Sequence, residues 1–372
     1  MEPICKYFLL SLPESIDSKD WLKQSLNNGD CQLNDFKIPE FQIGTLDSLV
    51  QESEELSKID VQLQTSISKI VDILNNVLEN GSFRTVNSKN VLDYVETFNW
   101  NSSKYRLDKS IKSLVEIISN EAINLDSDVR TSYSNYQTAK SNFLAADRKR
   151  NGDLSIKSLH DIVKPEDFIL DSENLTTILI AVPKNMNDDF KKSYETLTPF
   201  VIPRSAKLIS FDQEYNLYSV SLFKKYEQDF INGSREKKWQ PRIDFTYNEE
   251  KLNEMRKEFD LTKTNEQKLK NELIRLAKTA YSEILNNWIH IKAIRTYVES
   301  ILRYGLPPQF NCFLIKFNKQ NFKNFDKSKT ELIKKFGYLG GDGFENGSNL
   351  NEYASLVDPD FEPFVIYNIE IV

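Results

Sequence analysis

Hydrophobic residues recur at helical spacing through two long parts of the chain, residues 82–151 and 242–304, which contain neither glycine nor proline. We predict that both form long helices, because the apolar positions follow one another mostly at steps of three and four. The first apolar stripe comprises Leu107, Ile111, Leu114, Ile118, Ala122, Leu125, Val129, Tyr133 and Tyr136. The second comprises Leu269, Leu273, Leu276, Ala280, Ile284, Trp288, Ile291 and Val298. Each stripe occupies one face only, so we expect the two helices to cover each other as an antiparallel pair.

A further helix is predicted over residues 46–78, where apolar side chains again recur at helical spacing. Asn80 and Gly81 follow it and are typical of a left-handed helix end. Within the second long helix, residues 262–268 offer almost nothing to bury. We therefore expect that segment to be exposed to solvent and to flex.

Both ends of the chain and its middle have the β-branched and aromatic density of strands. At the ends, strands are predicted over residues 4–12, 311–318 and 363–372, and one sheet built from both termini would use all three. The middle reads as an α/β unit with no internal repeat. Its predicted elements are a strand at 175–182, a helix at 187–197, strands at 206–211 and 215–222, and a helix through Phe230.

These elements predict an α+β fold that is mainly α, with the shape of an elongated dumbbell. Both termini would form a foot domain, residues 1–103 and 305–372. A long antiparallel helical neck, residues 104–157 and 248–304, would follow, with its ends packing into the foot. The central α/β segment, residues 158–247, would form a head domain. Such a shape is typical of a spacer or strut more than of an enzyme.

The composition and net charge restrict the classes of function that this chain can have. The chain has 372 residues, 40% of them hydrophobic, which is enough to build folded cores. A formal net charge of −7 argues against a general nucleic-acid or anionic-membrane surface, because phosphate binding depends on clustered Lys and Arg. Three scattered cysteines form neither a disulfide framework nor a zinc pattern. With no signal peptide or membrane span apparent, we expect a cytoplasmic protein without direct membrane insertion.

Candidate catalytic residues are few. His160 and His290 are the only histidines, and they lie in different regions, so structural roles are favoured over a catalytic pair. The glycine-rich run at residues 337–343 lacks the lysine and hydroxyl that a phosphate-binding loop places after its last glycine. A loop that ends the preceding helix is the favoured interpretation. We predict no catalytic, cofactor-binding or metal-binding residues and no cofactor.

A basic segment near the end of the predicted head is the best candidate for a protein contact. It mixes positive charge with a tryptophan that we expect to be exposed, a combination enriched at protein interfaces. The alternative is a solvated helix end. The candidate partner-binding residues are Arg235, Lys237, Lys238, Trp239 and Arg242.

Three longer blocks of sequence carry a family resemblance. Residues 36–41 read FKIPEF and lead into ESEELSK at 52–58, residues 161–168 read DIVKPEDF, and residues 288–308 contain WIHIKA followed by VESILRYGLPP. With these blocks, nearly the whole chain closely resembles the C subunit of the vacuolar-type proton ATPase (V-ATPase), most of all its fungal members.

The resemblance implies a foot, neck and head, and a non-catalytic stator subunit that bridges the ATP-hydrolysing V1 sector and the membrane-embedded Vo sector. In this family the head binds a peripheral stalk made of the E and G subunits, while the foot meets a second stalk and the cytosolic N-terminal part of the membrane-embedded a subunit. The protein leaves when the two sectors reversibly separate. The resemblance also implies a peripheral location on the cytosolic face of vacuolar and other endomembranes. Two alternatives remain: a coiled-coil cytosolic scaffold unrelated to an ATPase, and an enzyme that uses the glycine-rich loop.

Overall fold

A computed structural model describes residues 2–16, 18–26, 31–78, 83–159, 162–169, 172–243, 245, 249–340 and 362–372, with only the backbone at 249–253, 255 and 256. The helices in this part of the chain are α1 (Ser18–Leu26), α2 (Leu46–Val77), α3 (Val91–Glu96), α4 (Ile111–Asn151), α5 (Asn187–Ser193), α6 (Glu227–Glu236), α7 (Glu249–Tyr304) and α8 (Lys323–Phe336). The strands are β1 (Cys5–Pro13), β2 (Cys31–Asp35), β3 (Thr85–Val86), β4 (Lys89–Asn90), β5 (Leu175–Pro183), β6 (Lys207–Phe211), β7 (Tyr215–Phe223), β8 (Gln240–Pro241), β9 (Phe310–Asn318) and β10 (Val365–Ile371).

The prediction of a mixed fold dominated by helices is confirmed. The chain divides into two compact units, the first formed by residues 1–133 and 272–372 and the second by residues 134–271. Both α4 and α7 contribute residues to each unit. In the described part of the chain, no helix combines the length and apolarity that crossing a membrane requires.

The first unit contains a four-stranded antiparallel sheet in the order β10-β1-β9-β2, so the strands predicted at both chain ends do share one sheet. One face of this sheet packs on α1 and α8 around Phe8, Ile315, Phe325 and Leu332. On β1, the side chain of Ser11 alternates to the other face and hydrogen-bonds Ser300 of α7 at 2.7 Å. The central strands β1 and β9 are buried along most of their length because helices lie on both faces of the sheet.

A buried ionic group fastens α2, α7 and β10 together. Asp60 of α2 is 3% exposed and accepts hydrogen bonds from the Trp288 indole at 2.7 Å and from the Lys292 ammonium at 2.9 Å, and it also pairs with Arg295. The Lys292 ammonium donates a further bond to the carbonyl of Asn368 on β10, at 3.1 Å. Burial lowers the pKa of Lys292, and the Asp60 carboxylate opposes that shift. The buried Asp60 carboxylate accepts from three donors, so its hydrogen-bonding capacity is used. Without Asp60, burying the positive charge of Lys292 or Arg295 would cost free energy.

The predicted apolar stripes face inward where the structure can test them. On α4, Leu114, Ile118, Ala122 and Val129 are at most 1% exposed, while Leu125 is half-buried. On α7, every residue from 284 to 301 is buried or half-buried. The polar segment at 262–268 has no buried residue, so its predicted exposure is confirmed.

The first long helix is shorter than the pattern predicts. Residues 83–110 form the β3–β4 hairpin, the short helix α3 and irregular chain instead of a continuation of α4. Asn87 and Ser88 adopt positive φ at the hairpin turn, and the Asn90 side chain caps α3 by accepting a bond from a backbone amide. Asn and Ser make such turns without glycine or proline, so the absence of those two residues does not guarantee a helix.

The second unit is built on a four-stranded antiparallel sheet in the order β6-β7-β5-β8. One face packs on α5 and α6 through Ile180, Val220, Phe190 and Phe230. The other face carries Leu179 and is covered by Leu154, Leu159, Val163 and Phe168. The strand predictions for this region are confirmed.

The second unit also contains a repeat that the sequence does not reveal. A nine-residue strand, a single 3₁₀ turn and an α-helix follow one another twice, as β5–α5 and β7–α6. Leu175 and Tyr215 begin the two strands forty residues apart, and Phe190 and Phe230 occupy the equivalent fully buried helical position at the same separation. No internal repeat is apparent in the sequence because the two copies share few residue identities, whereas burial preserves the order of the elements.

Candidate partner-binding surfaces

His290 is enclosed in the core of the first unit. Its ring lies 5.0, 4.8 and 4.9 Å from the rings of Phe98, Trp100 and Tyr105, and it is 1% exposed. Nδ1 lies 2.8 Å from the Asn286 carbonyl, and Nε2 accepts a bond from the Asn101 amide at 3.2 Å, which assigns the proton to Nδ1. Burial lowers the pKa of His290 to about 4, so the ring is neutral at physiological pH. Both ring nitrogens form hydrogen bonds inside the protein, so His290 has a structural role.

The remaining candidates for chemistry fall partly outside the described residues. His160 lies there, as do the last three residues of the glycine-rich run. The first part of that run, Gly337–Gly340, forms a 3₁₀ turn directly after α8. Among the described residues, no group of histidine, cysteine and carboxylate side chains could hold a metal ion.

The structure divides the predicted basic cluster into an exposed part and a buried part. Arg235, Lys237 and Lys238 are exposed at the end of α6. Trp239 is only 1% exposed and packs edge-on against Phe190 at 5.0 Å, so the expectation of an exposed tryptophan is wrong.

The chain turns inward because Lys238 has a φ of 61°, a left-handed conformation of the kind that often follows a helix end. That turn directs the next side chain into the core. Sequence composition cannot reveal it, because no glycine marks the position.

Arg242 is also buried, at 5% exposure. Its guanidinium donates hydrogen bonds to the carbonyls of Leu154 at 2.7 Å and Lys157 at 2.8 Å. It therefore ties the strand end after β8 to the segment that follows α4 within the second unit. A partner cannot reach the guanidinium without displacing those bonds, so Arg242 has a structural role in the isolated chain.

A group of exposed aromatic rings in the second unit is a stronger surface feature, and sequence analysis missed it. We call Phe200, Phe223 and Tyr226 the aromatic platform. Phe200 is 61% exposed and Phe223 39% exposed. Phe200 stacks on Tyr226 with ring centroids 5.3 Å apart and meets Phe223 edge-on at 5.8 Å.

Backbone pairing beside the end of β7 positions this platform. Val201 forms an antiparallel bridge with Leu222, and the amide of Ile202 donates to the carbonyl of Ser221 at 3.0 Å. Phe200 itself has a φ of 62°, which is uncommon for a bulky residue and costs about 1 kcal/mol or more. The signal available in sequence was the run from Phe223 to Tyr226, where two lysines separate two aromatic residues.

The first unit has an open groove of about 730 Å³ at the end of its sheet. Ile16, Ile38 and Phe310 contribute apolar walls, and the Lys19–Asp35 ion pair, at 2.6 Å, lies in its lining. Residues 36–38 of the groove belong to the first of the sequence blocks that carry the family resemblance.

Comparison with known proteins finds matches over nearly the full length of the chain. A sequence model of the family described as the C subunit of the V-ATPase matches residues 7–365. The V-type proton ATPase C subunit of Saccharomyces cerevisiae is 50% identical, over 98% of this chain and 97% of that protein. The C 1-B subunit of Danio rerio is 37% identical and the C 1 subunit of Xenopus laevis 35% identical, each covering 98% of both chains. A match of this extent identifies the chain as a member of the V-ATPase C-subunit family.

Proposed function

We propose that this chain is a non-catalytic stator subunit of the V1 sector of a V-type proton ATPase. In this role it bridges peripheral stalks made of the E and G subunits to the cytosolic part of the membrane-embedded a subunit, and it controls the reversible assembly of V1 with Vo. It would be cytoplasmic when free and peripheral on the cytosolic face of vacuolar and other endomembranes when assembled. The observation that carries the proposal is 50% identity to the yeast C subunit over nearly the full length of both proteins.

Two features of the described residues support a structural role for this chain over a catalytic role. The His290 ring is sealed in an aromatic core with both nitrogens bonded. The charged residues of the first unit with least exposure, Asp60 and Lys292, are paired with each other and bonded to the surrounding helices and strand. Neither group has an unused donor or acceptor directed at a cleft, as a general acid or base requires.

Division into two units supports a bridging role. Each unit has its own sheet and its own apolar core, so each can present an independent surface to a partner. Linking two binding modules in one chain raises the effective concentration of the second contact, so two weak contacts reinforce each other while each remains reversible. Reversible assembly needs that property.

The test is complementation in Saccharomyces cerevisiae that lacks its own C subunit. We expect this chain to co-purify with the E, G and a subunits, and to restore ATP-driven proton transport in vacuolar membranes. A chain that reaches normal levels but associates with no component of the ATPase would contradict the proposal and favour a scaffold of another kind.

The non-catalytic part of the proposal has its own test in the same strain. His290→Gln should lower protein stability yet leave the ratio of proton transport to ATP hydrolysis unchanged once protein levels are matched. Loss of hydrolysis in a normally assembled complex would contradict a purely structural role.

A further inference from the structure

The two copies of the repeat in the second unit are related by two-fold symmetry. Leu179 lies opposite Ser219 in the antiparallel pair of β5 and β7, and these residues are forty positions apart, so exchanging the two copies leaves the register unchanged. A lysine directly follows each strand, Lys184 or Lys224, and donates its amide to the carbonyl that directly precedes the other copy's strand, at 2.8 and 2.9 Å. Equivalent positions can therefore be compared one by one, and a difference in their contacts indicates a specialised role.

The equivalence continues beyond the two helices, although the second copy is two residues shorter there. Phe200 and Lys238 have φ values of 62° and 61°, and each is followed by a residue of the same buried core, Val201 or Trp239. The chain then returns to pair with the strand of the other copy, β7 in the first case and β5 in the second. The two copies can thus be aligned as far as residues 204 and 242.

A first difference separates Ser172 from Asp212, the residues at the turn before each strand. Both side chains accept a hydrogen bond from the amide that begins the strand, that of Leu175 at 3.1 Å and that of Tyr215 at 2.6 Å. The carboxylate of Asp212 has a second oxygen, which accepts a further bond from the amide of Leu154 at 2.7 Å. Burial acts to raise the pKa of Asp212, but its bonds from backbone amides lower the pKa overall, so the group is ionised at neutral pH.

A second difference separates Arg204 from Arg242, the arginines at the ends of the two aligned copies. Arg204 is exposed, whereas Arg242 is buried and its amide donates to a carbonyl of β5 at 2.8 Å. The guanidinium of Arg242 reaches the carbonyls of both Leu154 and Lys157, because its rigid fork of donors can serve two acceptors at once. In the second copy, the amide of Leu154 is therefore bonded to Asp212 and its carbonyl to Arg242.

The backbone held in this way is the connection that leaves α4. At Gly152 a β-carbon would lie 2.4 Å from the carbonyl oxygen of Arg148, so glycine is required where the helix ends. The amide of Ser158 donates back to the carbonyl of Lys149 in the last turn of α4, at 2.6 Å. Segment 153–158 is thus bonded to α4 at one end and to the sheet by the two residues described above.

We propose that Asp212 and Arg242 form a latch that fixes the end of α4 on the sheet of the second unit and transmits force between them in a stator. This inference rests on the proposed function and adds two positioning residues to it. A stator must resist torque, and a connection that turns under load transmits less of it. Leu154 is the one buried side chain in segment 153–158, so the hydrogen bonds of the latch restrain the rotation that a single apolar contact leaves free.

Hydrogen exchange of the isolated full-length chain tests whether the latch holds this segment. Arg242→Met keeps an apolar stem and removes the donors, and Asp212→Ser reproduces the turn of the first copy without the bond to Leu154. In either variant the amides of residues 154–158 should exchange at least tenfold faster relative to those of β5 and β7, which report global unfolding. Arg204→Met alters the exposed equivalent and should leave this comparison unchanged. Asp212→Ser keeps the turn bonded, so it decides the test even if Arg242→Met folds poorly.

Proton transport tests what the latch contributes to an assembled ATPase. Each variant replaces the C subunit in Saccharomyces cerevisiae that lacks its own, and the ratio of proton transport to ATP hydrolysis is measured in vacuolar membranes at equal amounts of assembled complex. Arg242→Met and Asp212→Ser should lower this ratio at least twofold, and Arg242→Lys should recover part of it, since lysine restores a donor group. Arg204→Met should keep the wild-type ratio. So should Ile231→Ala, which removes core volume in α6 and lowers stability without touching the latch.

Each outcome decides a separate point. Wild-type exchange at residues 154–158 in both Arg242→Met and Asp212→Ser would overturn the latch. Faster exchange with a wild-type transport ratio would overturn the positioning role, and so would an equal fall of the ratio in Ile231→Ala, which would show an effect of stability alone. If the wild-type chain associates with no component of the ATPase, the stator proposal and the mechanical role fail together, while the exchange result still decides whether the latch exists.

Discussion

The two halves of α7 differ in how deeply their side chains are buried. From residue 284 to 301 every side chain is buried or half-buried, whereas from 260 to 272 none is buried. The buried half contains Asn286, Asn287, His290 and Lys292, all at most 4% exposed. The exposed half contains Lys263, Gln267 and Lys268, which are exposed to solvent.

The comparison shows that one helix is stabilised in two ways. The buried half is held by tertiary packing and by polar side chains whose partners come from α2, α4 and β10, as Asp60 illustrates. The exposed half has few tertiary contacts. Phe259 lies directly before it, packs against Phe143 at 5.7 Å and lies beneath the Arg150 guanidinium at 4.5 Å. Most helical stability in proteins comes from tertiary packing, so the exposed half should be the less stable one.

The largest effect is expected from Asp60→Ala. Removing this carboxylate leaves the Lys292 ammonium and the Trp288 indole without their main acceptor in a buried site, which costs about 3–5 kcal/mol. Urea unfolding measures the loss, with Asp72→Ala on the exposed face of α2 as the control, expected within about 0.5 kcal/mol of wild type. A loss below about 1 kcal/mol in Asp60→Ala would mean that the ionic group does not hold the buried half.

The next largest effect is expected from Val129→Asp on α4. Val129 is fully buried on the predicted apolar stripe, so a carboxylate there would lack a partner and cost about 3 kcal/mol. Thr131→Asp lies on the exposed face two residues away and should change the free energy of unfolding by less than about 0.5 kcal/mol. Equal destabilisation by the two variants would show that the wrong face of α4 has been assigned to the core.

His290 predicts a pH dependence that belongs to the buried half alone. Its pKa is about 4 in the folded chain and about 6.5 when unfolded, so between these values the unfolded chain binds a proton that the folded chain does not. Stability is complete above about pH 6.5 and falls as pH decreases towards 4, by about 2–3 kcal/mol at pH 4.5. His290→Gln removes this titration, so its stability should decline less over the same interval. If the stability of the wild-type chain and that of His290→Gln decreased equally as pH falls, His290 would not be a buried neutral imidazole in the folded chain.

The smallest effects are expected in the exposed half. Phe259→Ala removes the buried side chain that directly precedes this segment and should cost about 1–2 kcal/mol, less than a fully enclosed phenylalanine, because the ring has few neighbours. Lys263→Ala should have almost no effect on the midpoint of thermal unfolding. A cost for Phe259→Ala equal to that of Asp60→Ala would remove the contrast between the halves.

Sequence patterns predicted the elements well and the surfaces poorly. Apolar periodicity located α2, the inward face of α4 and the strands at both chain ends, because burial of one face imposes a period on the sequence. It could not exclude residues 83–110 from the first long helix, because Asn87 and Ser88 turn the chain there in place of glycine. It assigned Trp239 and Arg242 to the surface, because the direction of a side chain after a helix depends on one dihedral angle at Lys238. The aromatic platform was missed for a related reason, since exposure is set by backbone pairing between Val201 and Leu222, which are far apart in sequence.

Hydrogen exchange of the α7 amides, followed by mass spectrometry on the full-length chain, tests the contrast between the halves most directly. Amides in residues 285–303 should exchange only through global or near-global unfolding, because tertiary contacts surround them. Amides in residues 260–271 should exchange at least roughly 100-fold faster through local opening. Equal protection along the whole helix would contradict the account, since the exposed half would then have a source of stability that its contacts do not show.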